Sequence, residues 1–278
     1  MVSDIVEGDL VCENYGLNAK VISIFDHVIN FQTDQNKGFA ITDSSVIPAP
    51  YHLILPNDKY KEIKKSALNF HNLRLDEFKI IYNNKKLNIA DKKIFIGKIP
   101  STTQVNKSNL IKMTEKVILG TKNLGSLDKS ILYFKDYLKN PQAKELNPLQ
   151  KQFYIKLKIL INKNGNLNDL IGLGIGLTPS SDDFIIGYLS VVEAGIAEDV
   201  LKIKKSLKKE DFFKMTTRVS ALNLKAALKK RFNKSLFILY QNINYNPFQY
   251  MKDAQNLINL GSSSGLDILS GVYFCLTV

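Results

Sequence analysis

Residues 172–187 read Gly-Leu-Gly-Ile-Gly-Leu-Thr-Pro-Ser-Ser-Asp-Asp-Phe-Ile-Ile-Gly, and this stretch indicates most about the fold. Alternate glycines lead to Thr178 and Pro179, which we predict to be the N-cap and the first residue of a helix. A helix N-terminus offers unpaired N–H groups and a partial positive charge, which favour an anion. The stretch therefore predicts either an anion-binding loop or a tight connection between two packed helices.

A second stretch near the C-terminus, residues 261–272, repeats part of this pattern. Both stretches contain Ser-x-x-Asp-x-x-x-Gly, at residues 180–187 and at residues 264–271. In a helix this acid and this glycine lie one turn apart on the same face, so the glycine leaves space beside the carboxylate. That space is expected to hold either a ligand or a second helix, in which case two capped helices cross through their glycines.

The hydrophobic pattern changes near Pro100. Before this residue, short apolar alternations separated by turn signals predict strands, interrupted by one helix over residues 58–70. Because strands and helices are segregated, we predict an α+β fold: a β-rich, barrel- or sandwich-like domain over residues 1–100 and an irregular helical domain over residues 101–278. Apolar residues at helical spacing predict the helices of the second domain over residues 108–122, 126–139, 148–163, 179–197, 210–230, 232–243, 248–260 and 264–277.

Composition argues against nucleic acid and membranes as partners. The chain of 278 residues is 45% hydrophobic, enough for a sizeable core, and its net charge of +12 comes almost entirely from lysine. Nucleic-acid sites favour arginine. The longest apolar stretch, residues 184–197, contains Glu193 and is too short to span a bilayer, and the N-terminus lacks the apolar core of a signal peptide. Cys12 and Cys275 have no metal-ligand spacing and are expected to be free, buried thiols of a cytoplasmic protein.

Acidic and hydroxyl side chains of the two glycine-rich stretches form the candidate site. We expect Asp183 and Asp267 to face one shared pocket beside the glycines and to act in catalysis, with Asp182 turned to support the loop. Carboxylates in such a site hold Mg²⁺, orient a basic residue or accept N–H bonds from an amide substrate. Further ligand contacts are predicted at Gly174, Gly176, Thr178, Ser180, Ser181, Asp182, Thr217, Ser263, Ser264 and Gly265.

Two other residue types restrict the chemistry. In a chain with few arginines, Arg218 predicts forked recognition of a carboxylate or phosphate and is expected to act in catalysis, unless it forms an ordinary ion pair on a helix surface. His27, His52 and His71 all precede residue 100, so the helical domain cannot hold a Ser-His-Asp triad of its own. No His/Cys cluster has the spacing of a zinc site.

Three motifs together resemble the AllH-type family: Gly-x-Gly-x-Gly-Leu-Thr-Pro-Ser-x-Asp-Asp, Thr-Thr-Arg-Val-Ser and Gly-x-Ser-Ser-Gly-x-Asp-x-Leu-x-Gly, in the family's order over residues 172–271. The resemblance implies a subunit of oxamate carbamoyltransferase, an enzyme of anaerobic purine (allantoin) degradation that works with separate partner subunits. Its reaction converts carbamoyl phosphate and oxamate to oxalurate and phosphate, or the reverse. Ile175, Ser181 and Ser262 depart from the family pattern, which usually has Pro, Gly and His at these positions.

Two functional hypotheses follow. In the first, the chain is a cytoplasmic enzyme or enzyme subunit that binds a small anionic carbonyl or phosphate compound, and the resemblance implies carbamoyl transfer. In the second, it is a non-catalytic structural or regulatory subunit whose loops form a partner interface. The departures at Ser181 and Ser262 favour the second hypothesis.

Overall fold

The computed structural model describes residues 4–67, 72–102, 105–122, 127–142, 145–162, 167–207, 211–243 and 246–278. The chain divides into two compact units. The first comprises residues 1–98 together with 231–234, and the second comprises residues 99–230 together with 235–278. His71 and the predicted end of the first helix, residues 68–70, lie outside the described residues.

The first unit is built on one mixed sheet that curls into a half-barrel. Its strands lie in the order β8-β7-β6-β2-β3-β4-β5-β1-β9. The β4–β5 and β1–β9 pairs are parallel, whereas the other neighbouring pairs are antiparallel. The strands are β1 (Ile5–Gly8), β2 (Asn18–Ile24), β3 (Val28–Thr33), β4 (Gly38–Asp43), β5 (His52–Leu55), β6 (Leu73–Leu75), β7 (Lys79–Tyr82), β8 (Lys85–Asn88) and β9 (Lys92–Phe95).

The core of this unit lies between the sheet and helix α1, which spans Asn57–Ala67. Every residue of the central strand β4 is buried, which the apolar residues of Gly38–Asp43 favour. Phe31 on β3 and Phe39 on β4 stack with ring centroids 5.1 Å apart. Tyr60 and Ile63, one helical turn apart on α1, are buried in the same core.

The regular secondary structure described in the second unit is helical. Its helices are α2 (Lys107–Gly120), α3 (Phe134–Lys139), α4 (Pro148–Ile161), α5 (Ser180–Glu193), α6 (Ile203–Leu207), α7 (Phe212–Met215), α8 (Arg218–Leu228), α9 (Lys234–Gln241), α10 (Pro247–Ile258) and α11 (Ser264–Thr277). The structure describes no strand after Phe95, so the predicted α+β fold is confirmed.

Several helix boundaries differ from the prediction. The helix predicted over residues 210–230 is two helices, α7 and α8, because Thr216 is extended (φ −144°, ψ −178°) and Thr217 caps α8 by accepting the Ser220 N–H. The helix predicted over residues 179–197 ends at Glu193, and Gly195 follows in the left-handed region at φ +75°. The segment predicted as a helix over residues 126–139 begins as a 3₁₀ helix over Asp128–Tyr133. Helix α6 is not among the helices predicted from apolar spacing, and it lies in the lysine-rich run 202–209, whose spacing is that of a solvated helix face.

Two further expectations concern the whole chain. Within the described ranges, no helix is both long and apolar enough to cross a membrane. Both cysteines are free, but only Cys275 is buried; Cys12, in the short 3₁₀ helix Val11–Asn14, is exposed, so its predicted burial was wrong. The apolar spacing that places Cys275 inside α11 has no counterpart around Cys12.

Candidate functional site

Helices α5 and α11 cross in direct backbone contact through the two glycines of the repeated motif. A Cβ added to Gly187 would lie 1.9 Å from the carbonyl oxygen of Ile268, and one added to Gly271 would lie 1.9 Å from that of Phe184. Each glycine therefore meets the residue that follows the acid of the other helix. At both glycines, the opposite helix fills the space that a Cβ would occupy.

The start of α5 differs from the prediction. Pro179 occupies the N-cap position (φ −53°, ψ 140°) and the helix begins at Ser180, so Thr178 is not the N-cap. The Thr178 hydroxyl instead forms a 2.7 Å hydrogen bond with the hydroxyl of Ser264, which begins α11. This bond joins the two glycine-rich stretches.

The N-terminal N–H groups of both helices are partly satisfied by the chain itself. In α5, the Ser181 N–H donates to the Leu173 carbonyl at 3.0 Å. In α11, the Gly265 N–H donates to the Leu260 carbonyl at 3.0 Å, and the Ser263 carbonyl accepts from the next two N–H groups. The predicted anion site made of free backbone N–H groups is therefore reduced, and side chains become the main remaining donors.

Glycines in both stretches allow this close backbone packing. A Cβ at Gly174, whose φ is +139°, would lie 2.4 Å from the Ser180 nitrogen, and one at Gly172 (φ +77°) would lie 2.4 Å from the Met215 carbonyl oxygen. Gly265 packs on the last turn of α10, where a Cβ would lie 1.9 Å from the Leu257 carbonyl oxygen. Gly176, by contrast, faces open space at the exposed tip of the loop.

Asp182 braces the glycine-rich loop, as predicted. It is fully buried, and its Oδ1 accepts the Gly172 N–H at 2.8 Å. Its Oδ2 accepts the Ser220 hydroxyl at 2.6 Å and the Thr216 hydroxyl at 2.5 Å. Burial raises the pKa of Asp182, and these hydrogen bonds oppose that rise only in part. Thr217 donates its hydroxyl to the Leu177 carbonyl, which ties the same loop to the start of α8.

Asp183 is buried but incompletely bonded. The residue is 2% exposed, and its Oδ2 has no hydrogen-bond partner among the described residues. Burial raises the pKa of Asp183 well above its usual value, and the negative charge of Asp267 adds to the rise, whereas the hydroxyls of Ser264 and Thr178 act in the opposite direction. The charge of Asp267 therefore acts on Asp183.

The other polar groups at the crossing divide into bonded and unbonded sets. Asp267 is fully buried and accepts the Leu127 N–H at 3.1 Å through Oδ1. Leu127 in turn accepts from the Gln150 amide at 3.3 Å, so Asp267 fixes a chain segment far away in sequence. The hydroxyls of Ser180 and Ser181, both buried, have no partner among the described residues.

Three residues of the motifs are partly or fully exposed: Arg218, Ser262 and Ser263. Arg218 is the first residue of α8 and is partly exposed, with its guanidinium 4.5 Å from the centroid of the Phe213 ring. Ser263 is the N-cap of α11 but makes no capping bond with its side chain. Ser262, where the family usually has His, is exposed.

Sequence reasoning did not place Ser220, Gly172 and Leu127 in the candidate site, whereas it gave Thr216 as a helix cap or a ligand donor. Ser220 could have been found because it follows the Thr-Thr pair at helix-capping distance, whereas no local pattern marks Leu127. In the part of the chain that the structure describes, no three His, Cys, Asp or Glu side chains gather as a potential metal site.

Residues 170–276 match the family model described as oxamate carbamoyltransferase subunit AllH. The matched region contains the glycine-rich loop, α5, α8 and α11, so the resemblance inferred from the three motifs is confirmed there. No solved structure matches this chain.

Proposed function

We propose that this chain is the AllH-like subunit of a carbamoyl-transfer enzyme and that the polar cluster at the starts of α5 and α11 binds its small anionic substrate. The family description names oxamate, and the resemblance to the family implies carbamoyl phosphate as the second substrate. The observation that carries the proposal is the set of unpartnered, buried polar atoms on Ser180, Ser181 and Asp183. Buried polar atoms are nearly always bonded, so several unpartnered ones on one helical turn favour a ligand that satisfies them.

The proposed roles follow from the donor and acceptor chemistry of each group. Serine hydroxyls donate to carboxylate or phosphate oxygens, and the aligned dipoles at the two helix starts favour the negative charge. Arg218, partly exposed beside the motif, is proposed to pair with a carboxylate or phosphate of the substrate. Asp183 and Asp267 are proposed to contact the reacting groups, and Gly174 and Gly176 to let the loop backbone approach the ligand.

Ligand-induced stabilisation of the purified chain tests this proposal. We expect oxamate, carbamoyl phosphate or phosphate, with and without Mg²⁺, to raise the melting temperature, because a ligand that binds only the folded state stabilises it. Ser181→Ala should abolish the rise, whereas Ser206→Ala, which changes a serine on α6 outside the cluster, should keep it. If none of these ligands raises the melting temperature, alone or with a co-purified subunit, the anion-site proposal fails.

A specific observation favours the second candidate, a non-catalytic subunit whose loop binds a partner. Ile175 and Leu177, at the tip of the glycine-rich loop, are 80% and 43% exposed, and exposed apolar side chains are typical of protein interfaces. Under this alternative, Ile175→Ser should weaken co-purification of a partner subunit. The ligands should raise the melting temperature of neither the wild type nor Ile175→Ser. An Ile175→Ser protein that still binds its partner would count against it.

The proposed setting is a carbamoyltransferase-type complex in the cytoplasm. The family description names a subunit, which supports the predicted need for other chains. Two free cysteines, one of them exposed, fit a reducing compartment.

A further inference from the structure

An anion bound at the crossing of α5 and α11 must be met mainly by side-chain donors. The Ser181 and Gly265 N–H groups already donate to carbonyls of their own loops. The hydroxyls of Thr178 and Ser264 bond to each other at 2.7 Å. The described groups that remain unbonded and buried on α5 include the Ser180 and Ser181 hydroxyls and Oδ2 of Asp183.

Asp183 is the group whose charge decides whether an anion can bind. Among the ion pairs that the structure describes, none involves Asp183. Two charged groups act on Asp183: Asp267 on α11 and Asp182, its neighbour on α5. Both are acids, so neither offers Asp183 a positive charge. A buried carboxylate without a cation is costly, so the protonated form is favoured.

We propose that Asp183 works as a hydrogen-bond donor, a neutral carboxylic acid whose Oδ2–H meets an acceptor oxygen of the bound anion. This inference rests on the proposed function and assigns Asp183 a role in substrate specificity. When Asp183 is protonated, Oδ2 donates a hydrogen bond to the anion and thereby gains the partner that it lacks in the described residues. Protonation also removes the repulsion that an ionised carboxylate would exert on the anion. Burial and the nearby Asp267 charge, which raise the pKa of Asp183, support this protonation state.

The donor role predicts how binding depends on pH. Below the raised pKa, Asp183 carries its proton and the anion binds. Above it, the proton must be taken up with the ligand, so affinity falls about tenfold for each further pH unit. An ionised Asp183 would instead disfavour anions and favour amide groups, because a carboxylate repels negative charge and accepts N–H bonds.

Calorimetric titration with oxamate tests the role directly, because the oxamate carboxylate stays ionised from about pH 6 to about pH 9. We expect the wild-type affinity to fall toward high pH. Asp183→Asn, which carries a permanently neutral donor, should bind oxamate at neutral pH and lose the pH dependence. Asp253→Asn changes another buried acid of the same unit, bonded to Gln249 at 2.7 Å, and should keep the wild-type profile.

The possible outcomes separate this inference from the proposed function. Two results would overturn the donor role and leave the binding site standing. In the first, the wild type binds oxamate with an affinity that does not depend on pH. In the second, Asp183→Asn does not bind oxamate at any pH although its melting curve shows a folded protein. Absence of oxamate binding at every pH overturns both. Infrared spectroscopy of the ligand-free protein provides a separate check: the C=O band of a protonated carboxylic acid should be present at neutral pH and lost in Asp183→Asn.

Discussion

The two units of the chain bury acidic side chains in opposite ways. In the first unit, acids face cations: the buried Glu7, 2% exposed, lies 3.2 Å from the Lys92 ammonium, and the partly buried Asp9 pairs with Arg231. In the second unit, the acids at the helix crossing face neutral donors. Asp182 accepts hydroxyl and backbone N–H groups, and no described ion pair includes it.

This difference decides the charge of each acid. Burial tends to raise the pKa of Asp43 in the first unit, but bonds from Ser45 and from His27, at 2.7 Å, outweigh it and the pKa lies below the usual value. In Asp182 and Asp183 burial prevails and the pKa is raised. Glu193, at the end of α5, shows that the unit itself is not the cause, because its two lysine partners lower its pKa despite burial. Glu193 thus keeps a lowered pKa through its cations, whereas Asp182 and Asp183 at the candidate site have raised pKa values and no described cation partner.

The largest effect is expected from removing a cation in the first unit. Lys92→Ala leaves Glu7 buried without its charge partner and also removes the 2.9 Å bond to the Tyr15 hydroxyl. We expect a loss of about 3–5 kcal/mol in the free energy of unfolding, measured by urea denaturation. Lys93→Ala, on the same strand but with a 72% exposed side chain, is the control and should cost about 1 kcal/mol or less. Equal losses in the two variants would mean that the buried pair contributes no more than a surface pair.

The next effect concerns the crossing that buries the acids of the second unit. Gly187→Ala and Gly271→Ala each place a Cβ 1.9 Å from a carbonyl oxygen of the opposite helix, so the helices must separate. We expect each to cost about 3 kcal/mol, at the upper end of overpacking effects, with the same sign and similar size. Gly120→Ala, at the end of α2 with nothing within 4 Å of the added Cβ, should be neutral or stabilise by about 1 kcal/mol. If Gly271→Ala leaves the free energy of unfolding unchanged, the two helices can separate at this crossing without loss of stability.

A third prediction tests whether neutral donors can replace a cation around an acid. Asp182→Ala leaves the Gly172 N–H and two hydroxyls without their acceptor, for an expected loss of about 2–3 kcal/mol in unfolding free energy. Asp182→Asn keeps the acceptor for Gly172, and hydroxyls can rotate to accept from its amide, so its loss should be smaller. If Asp182→Asn lowers the unfolding free energy as much as Asp182→Ala, the negative charge of the carboxylate is what stabilises the loop.

The fold and the crossing could be predicted from local patterns. The spacing of Ser, Asp and Gly predicted, as one of two alternatives, that the two motif helices cross through Gly187 and Gly271, and the bounds of α11 follow directly from its apolar period. The change of hydrophobic period near Pro100 predicted the segregation of strands and helices. These features depend on residues within a few turns of one another, where sequence spacing maps directly onto geometry.

The polar details could not be predicted, because they depend on residues far apart in sequence. The Leu127 N–H reaches Asp267 across 140 positions, and the Ser220 hydroxyl reaches Asp182 across 38. Thr178 has the residue type of an N-cap, but the bond to Ser264 across 86 positions takes its hydroxyl instead. The order of the sheet, in which β1 pairs with β5 and β9, is likewise set by contacts that no local pattern encodes.

The smallest expected effect, about 1.4 kcal/mol for each pH unit, is the most informative about Asp183. Its pKa is raised above the usual 3.8, so in the folded protein it keeps a proton that the unfolded chain has already released. Unfolding therefore releases that proton, and stability must fall as the pH rises from about 4 through the raised pKa. Asp183→Asn removes this loss. Relative to the wild type, we expect the variant to gain about 1.4 kcal/mol for each pH unit between about pH 4 and the raised pKa, and to match the wild type near pH 4, measured by urea denaturation at a series of pH values up to roughly pH 8. An Asn variant that is less stable at the higher pH would mean that Asp183 is ionised in the folded protein, and the contrast between the acids of the two units would then disappear at this residue.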